Sequence, residues 1–171
     1  FLEFIILIMQ IIVKNKDTLL YGEFKFKCAV GEKGVTSKKK EGDKKTPKGT
    51  YAIGPVYFRK DRLSKPLTKL KTIEIKKNLG WCDDVNSELY NKSINTNKKV
   101  RYENLFRKYK NYDILIPIQY NTTKPIKNKG SAIFLHLTNN YKKTLGCVAL
   151  KKKDMLILLK LIDKKTKIKI F

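Results

Sequence analysis

Short apolar stretches separated by turn residues run the length of this chain. The segments Gln10–Val13, Thr18–Leu20 and Phe24–Val30 read as opening strands, and Phe24-Lys-Phe-Lys27 alternates with period two. A polar, glycine-punctuated loop follows over 31–49. Tyr51–Phe58 then resumes as a strand with a kink at Gly54-Pro55, and Lys71–Ile75 reads as another. The stretch 76–99 is polar and aperiodic and reads as a long loop, the kind that more often carries function than fills space. The spacing predicts a short helix over Tyr102–Tyr109. Tyr112–Tyr120 is apolar but broken by Pro117, which predicts an edge or bulged strand. Ser131–Leu137 (SAIFLHL) is the clearest strand of all. Met155, Leu158, Leu159 and Ile162 fall at i, i+3, i+4 and i+7, which predicts one amphipathic helix over about 152–162, with Asp154 suiting the positive end of its dipole. Lys167–Phe171 closes the chain as a strand. The expectation is a mainly β fold with one C-terminal amphipathic helix.

The 171 residues suit one domain, expected over 10–171, and no internal repeat or linker divides them. The apolar run Phe4–Val13 is too short to span a bilayer and is broken by Gln10. It also lacks the basic start and small-residue cleavage site of an export signal. Residues 1–9 read as extra N-terminal sequence, with Met9 a candidate natural start. No transmembrane segment is expected.

Charge adds little. The net charge is +24, a field that attracts polyanions. The excess is nearly all Lys, spread along the chain, and Arg occurs only at Arg59, Arg62, Arg101 and Arg107. No recognition-helix or RNA-binding pattern appears, and no nucleic-acid partner is expected.

Candidate chemistry sits late in the chain. His136, the single histidine, ends the strongest strand, and a short polar loop leads back to Thr144-Leu-Gly-Cys147. A thiolate is the attacking form of cysteine, and a neighbouring imidazolium in a positive field would lower its pKa from about 8.5. The same imidazole could then move protons to and from leaving and entering groups. Gly146 permits a tight backbone there, with amides able to face a developing oxyanion. Some third group should orient His136, and a backbone carbonyl would serve. Cys82 lies beside Asp83 and Asp84, which disfavour a thiolate, and Cys28 reads as core. The three cysteines are too far apart in sequence for an ordinary structural zinc site, so neither metal nor cofactor is expected.

A second segment, Gly42-Asp43-Lys-Lys-Thr46-Pro47-Lys-Gly49-Thr-Tyr51, is an unusually turn-dense loop. Together with His136…Thr144-Leu145-Gly146-Cys147 it resembles the two motifs of the L,D-transpeptidase (YkuD-type) catalytic domain, in the same order and over about Gln10–Phe171. Gly80-Trp-Cys-Asp-Asp84 and Tyr90-Asn91 resemble a shorter branch of that family without an export signal. The resemblance implies a β-sandwich-like fold and a cysteine acyl-enzyme. It implies peptidoglycan stem peptides as partners, attacked at the diaminopimelate carbonyl with loss of D-Ala, in the periplasm or cell envelope. It also implies Cys147 as nucleophile, His136 as acid and base, and Gly146 at the oxyanion site. The chain departs from the commonest pattern at Leu145, where His is usual, and at Ala149, where Arg or Asn is usual. The missing Arg removes a bidentate carboxylate contact.

Arg59, Arg62, Trp81, Ser131 and Thr144 are the candidate substrate-binding residues. Arg59 and Arg62 could hold substrate carboxylates, and Trp81 could be a stacking wall or a core plug. Two alternatives remain open at this point: an L,D-carboxypeptidase or thiol peptidase using water as acceptor, and a non-catalytic basic module for wall polymer or nucleic acid.

Overall fold

A computed structural model describes residues 10–171, so the expectation about residues 1–9 lies outside the described residues. In chain order the strands are β1 (Gln10–Lys14), β2 (Thr18–Tyr21), β3 (Phe24–Lys27), β4 (Val35–Thr36), β5 (Thr46–Pro47), β6 (Gly49–Ala52), β7 (Val56–Phe58), β8 (Thr72–Glu74), β9 (Leu79–Cys82), β10 (Ser93–Asn95), β11 (Tyr102–Asn104), β12 (Ile114–Pro117), β13 (Phe134–Leu137), β14 (Val148–Leu150) and β15 (Lys167–Ile170). The fold is mainly β, with one C-terminal helix at Lys152–Leu161 among the described residues.

Two five-stranded sheets dominate. The first runs β3-β2-β1-β15-β6 and the second β14-β13-β12-β7-β8; a three-stranded sheet, β10-β9-β11, stands apart. The alternation of side chains explains how they assemble. Ile11, Val13, Ile168 and Ile170 of the first sheet share one core with Ile114, Ile116, Leu135 and Leu137 of the second. The helix adds Met155, Leu158 and Leu159 to that core, as its spacing predicts. The residues in between, Leu115 and Phe134, face the other way into a second cluster with Tyr57, Trp81, Leu105, Tyr112 and Cys147. The second sheet is therefore buried on both faces, which is why SAIFLHL reads so strongly apolar.

Three expectations need correction. The segment 76–99 is not one loop, because β9 pairs antiparallel with β10 and with β11. Tyr102–Tyr109 is not a helix. It begins as β11 and turns where Asn104 Oδ1 accepts the Phe106 amide at 2.8 Å, a local bond that competes with helix. A 3-10 turn follows at Lys110–Tyr112. Finally, β12 is central rather than an edge. The Ile118 amide donates to Ile133 on the β13 side, so the Pro117 ring faces the opposite neighbour, at the Gly54-Pro55 bend before β7 begins. There its missing N–H leaves no ladder bond unmade.

Candidate active site

The parallel pairing of β13 and β14 sets His136 opposite Ala149 and Leu135 opposite Val148. Cys147 immediately precedes β14, two residues from Ala149, so its side chain shares the face of His136 and Phe134. Both His136 and Cys147 line one open cleft of about 1520 Å³, large enough for a peptide segment rather than one small molecule. Each is about 8% exposed.

The thiol is held at two points. The Phe134 amide donates to Cys147 Sγ at 3.3 Å, and Sγ–H donates to the Ala132 carbonyl at 3.3 Å. Asn91 supports this grip. Its Oδ1 accepts from Trp81 Nε1 at 2.9 Å and from the Ala132 amide at 3.0 Å, while its Nδ2 donates to the carbonyls of Tyr120 and Asn121.

The imidazole is oriented by backbone. His136 Nδ1 lies 2.9 Å from the Leu137 carbonyl, which can only accept, so Nδ1 carries the proton. Nε2 of the neutral ring is then a proton acceptor. Burial, with help from the Arg107 charge and against that bond to Leu137, lowers the His136 pKa to about 4. Burial and the Glu103 carboxylate push the Cys147 thiol up to about 12, against the Phe134 amide, Arg107 and Lys39. Both shifts favour the neutral forms, a thiol and an imidazole on one face of the sheet. Desolvation disfavours both charges, which runs against the thiolate–imidazolium pair expected from the sequence.

The turn before Cys147 is closed by Thr144. Its Oγ1 accepts the Gly146 amide at 3.1 Å and donates to the Cys147 carbonyl at 2.6 Å. The Gly146 amide is therefore engaged within the turn and does not face an open oxyanion position. Gly146 has φ +142°, and an added Cβ would meet the Lys45 carbonyl at 2.9 Å. The 42–51 loop is what packs there. Asp43 braces that loop by accepting from Lys39 Nζ at 2.6 Å and from the amides of Lys40 and Lys45. Burial alone would raise the Asp43 pKa, but these bonds outweigh it and hold it below the usual carboxylate range.

The L,D-transpeptidase catalytic domain (YkuD) model matches residues 9–170. The chain belongs to the L,D-transpeptidase catalytic domain family. No curated protein matches it. The two motifs that carried the resemblance meet in space, with the Thr46 hydroxyl accepting the Gly31 amide at 2.8 Å and Gly31 bridged to Thr144.

Not every expected residue of this L,D-transpeptidase domain reaches the cleft. Ser131 lines it, with its hydroxyl donated to Glu41 at 2.9 Å. Thr144 also lines it, but its hydroxyl is spent on the turn. Trp81 does not line it. It is 6% exposed and packs edge-on against Phe134 at 5.1 Å, a plug beneath the thiol rather than a stacking wall. Arg59 is 3% exposed and forms a bidentate pair with Asp61, donates to the Arg107 carbonyl and stacks on Phe106. Arg62 pairs with Asp113 at 2.7 Å beside a separate, smaller pocket of about 480 Å³. Neither arginine points at Cys147. Their carboxylate partners come from the protein, and Arg59 fixes the segment that carries Arg107.

Three residues of the site escaped the sequence reading. Arg107 lines the cleft, its guanidinium 4.0 Å over the Tyr112 ring, and it pairs with Glu103. The Tyr112 hydroxyl donates to Glu103 at 2.6 Å, and its ring lies 5.3 Å from that of His136. Burial raises the Glu103 pKa, although Arg107 and Tyr112 oppose this. The signal for Arg107 was its i, i+4 relation to Glu103, which reads as an exposed helical pair unless the turn at Asn104 is known.

Proposed function

We propose that this protein is a cysteine-dependent L,D-transpeptidase acting on peptidoglycan stem peptides. Cys147 Sγ attacks the diaminopimelate carbonyl carbon of a tetrapeptide donor. His136 Nε2 takes the thiol proton as the S–C bond forms, then returns it to the D-Ala nitrogen as the C–N bond breaks. An acceptor amine next attacks the thioester, gives its proton to Nε2, and the S–C bond breaks to restore the thiol. With the Gly146 amide engaged, the Cys147 amide is left to serve as a donor to the developing oxyanion.

The observation that carries this reading is the shared face of Cys147 and His136 in one cleft, with Nδ1 tied to Leu137 and Nε2 left to accept. A neutral pair suits it, since the imidazole acts as general base only when unprotonated. The reading needs Cys147 alone of three buried free thiols.

Incubation with an L-Ala-γ-D-Glu-diaminopimelate-D-Ala donor should add the donor minus D-Ala to the intact protein. Cys147→Ala should abolish the adduct and Cys82→Ala should retain it. Equal turnover by the Cys147 variant would overturn the proposal. Running the reaction with and without an acceptor amine separates crosslinked product from the hydrolysis expected of an L,D-carboxypeptidase.

A further inference from the structure

The proposed reaction leaves one requirement open: what recognises the end of the donor peptide. Basic side chains in the cleft are numerous, and Lys108 and Lys110 among them are exposed. Lys39 Nζ is spent on Asp43 and the Lys40 carbonyl. Arg101 commits Nε and Nη2 to Asp83 and, like Arg107, leaves Nη1 without a hydrogen bond among the described residues, but its side chain is largely exposed. Lys142 and Lys143 are exposed on the loop after His136. Arg107 differs. Its Nε donates to the Asn104 carbonyl at 3.0 Å and its Nη2 pairs with Glu103. Its Nη1 makes no hydrogen bond among the described residues.

Its position is also specific. The guanidinium lies over Tyr112, and Tyr112 lies against His136, so Arg107 stands on the imidazole side of the thiol. Its charge reaches both reacting groups, helping to lower the pKa of His136 and of Cys147. The leaving amine must depart toward His136, because that ring supplies its proton. The carboxylate of the leaving residue is attached to the carbon that bears this amine, so it travels on the same side. A planar guanidinium already braced by a carboxylate and a carbonyl is a pre-organised carboxylate receptor.

We propose that Arg107, through Nη1, holds the carboxylate of the departing C-terminal residue and so makes the enzyme select donors that end in a free carboxylate. The inference rests on the proposed function. It supplies from another wall of the cleft the arginine absent at Ala149, which is itself buried opposite His136.

The test compares the tetrapeptide acid with its C-terminal carboxamide, reading the acylation rate of Cys147 by intact mass. The wild-type protein should acylate from the acid roughly 10- to 100-fold faster, the range of one charge-assisted bond. Arg107→Gln should bring the ratio close to one, mainly through a higher KM for the acid, and Arg107→Lys should keep part of it. Glu103→Gln/Arg107→Gln, which removes the carboxylate left without its cation, should show the same collapse and guards against misfolding of the single variant. A wild-type ratio near one, an unchanged ratio in the variants, or an equal loss with both donors would overturn the inference while leaving the acyl-enzyme intact. No adduct on wild-type Cys147 from either donor would overturn the proposed function, and this inference with it.

Discussion

Asn91 Oδ1 accepts the Ala132 amide at 3.0 Å, and the Ala132 carbonyl in turn accepts the Cys147 thiol. A residue 56 positions away in sequence thus supports the carbonyl that accepts the Cys147 thiol. Asn91 is 3% exposed and its amide satisfies four backbone or indole partners. Asn91→Ala strands the Trp81 and Ala132 donors, at about 1–3 kcal/mol each. The expected loss is about 2–6 kcal/mol by urea denaturation, with slower acylation of Cys147 under conditions where the variant remains folded. Unchanged acylation would show that Ala132 is held without Asn91.

Gly146→Ala should be costly in both fold and activity. The added Cβ meets a backbone carbonyl at 2.9 Å, and φ +142° is strained for any L residue. About 1–3 kcal/mol of destabilisation is expected from the backbone conformation alone. The check is a chemical denaturation curve together with the rate of donor acylation.

The neutral resting pair predicts an unusual alkylation profile. Cys147 should react slowly with iodoacetamide at neutral pH and accelerate only toward its pKa of about 12. Glu103→Gln removes the charge that follows burial as a cause of that elevation, so the alkylation midpoint should move down. A midpoint below that of a free thiol would restore the thiolate–imidazolium picture.

Stability should fall on mild acidification. The His136 pKa drops from 6.5 to about 4 on folding, so the unfolded chain binds the extra proton between those values. By linkage, stability from this group is fully present above pH 6.5 and is lost as pH falls through 4. The difference is worth roughly 3 kcal/mol. His136→Gln should flatten the pH dependence of unfolding free energy across that window, and an unflattened curve would place the acid sensitivity elsewhere.

Much of this was legible in the sequence, for physical reasons that differ by element. Phe134-Leu-His-Leu137 alternates between two buried faces, so periodicity alone placed His136 beside its strand neighbours. The helix spacing at Met155, Leu158 and Leu159 was equally direct. By contrast β9 and β10 are only four and three residues long, too short for a periodic signal, and are held by the pairing of β9 with β10 and β11. Arg59 and Trp81 lay near the right motifs, but proximity in sequence does not say which way a side chain points. Arg107 was hidden because its meaning depends on a turn made by one Asn104 hydrogen bond. The thiol's elevated pKa was likewise invisible, since desolvation is a property of the whole cleft.

The place of β15 in the first sheet carries a consequence for biosynthesis. This strand lies between β1, its parallel partner, and β6, its antiparallel one. Until residues 167–170 leave the ribosome, the β1–β3 meander and β6 have no strand to join them. The loop that buttresses Gly146 runs directly into β6, so its anchorage also waits for that last strand. The first sheet therefore closes only once β15 has been made, and Cys147 stays without its finished setting until then.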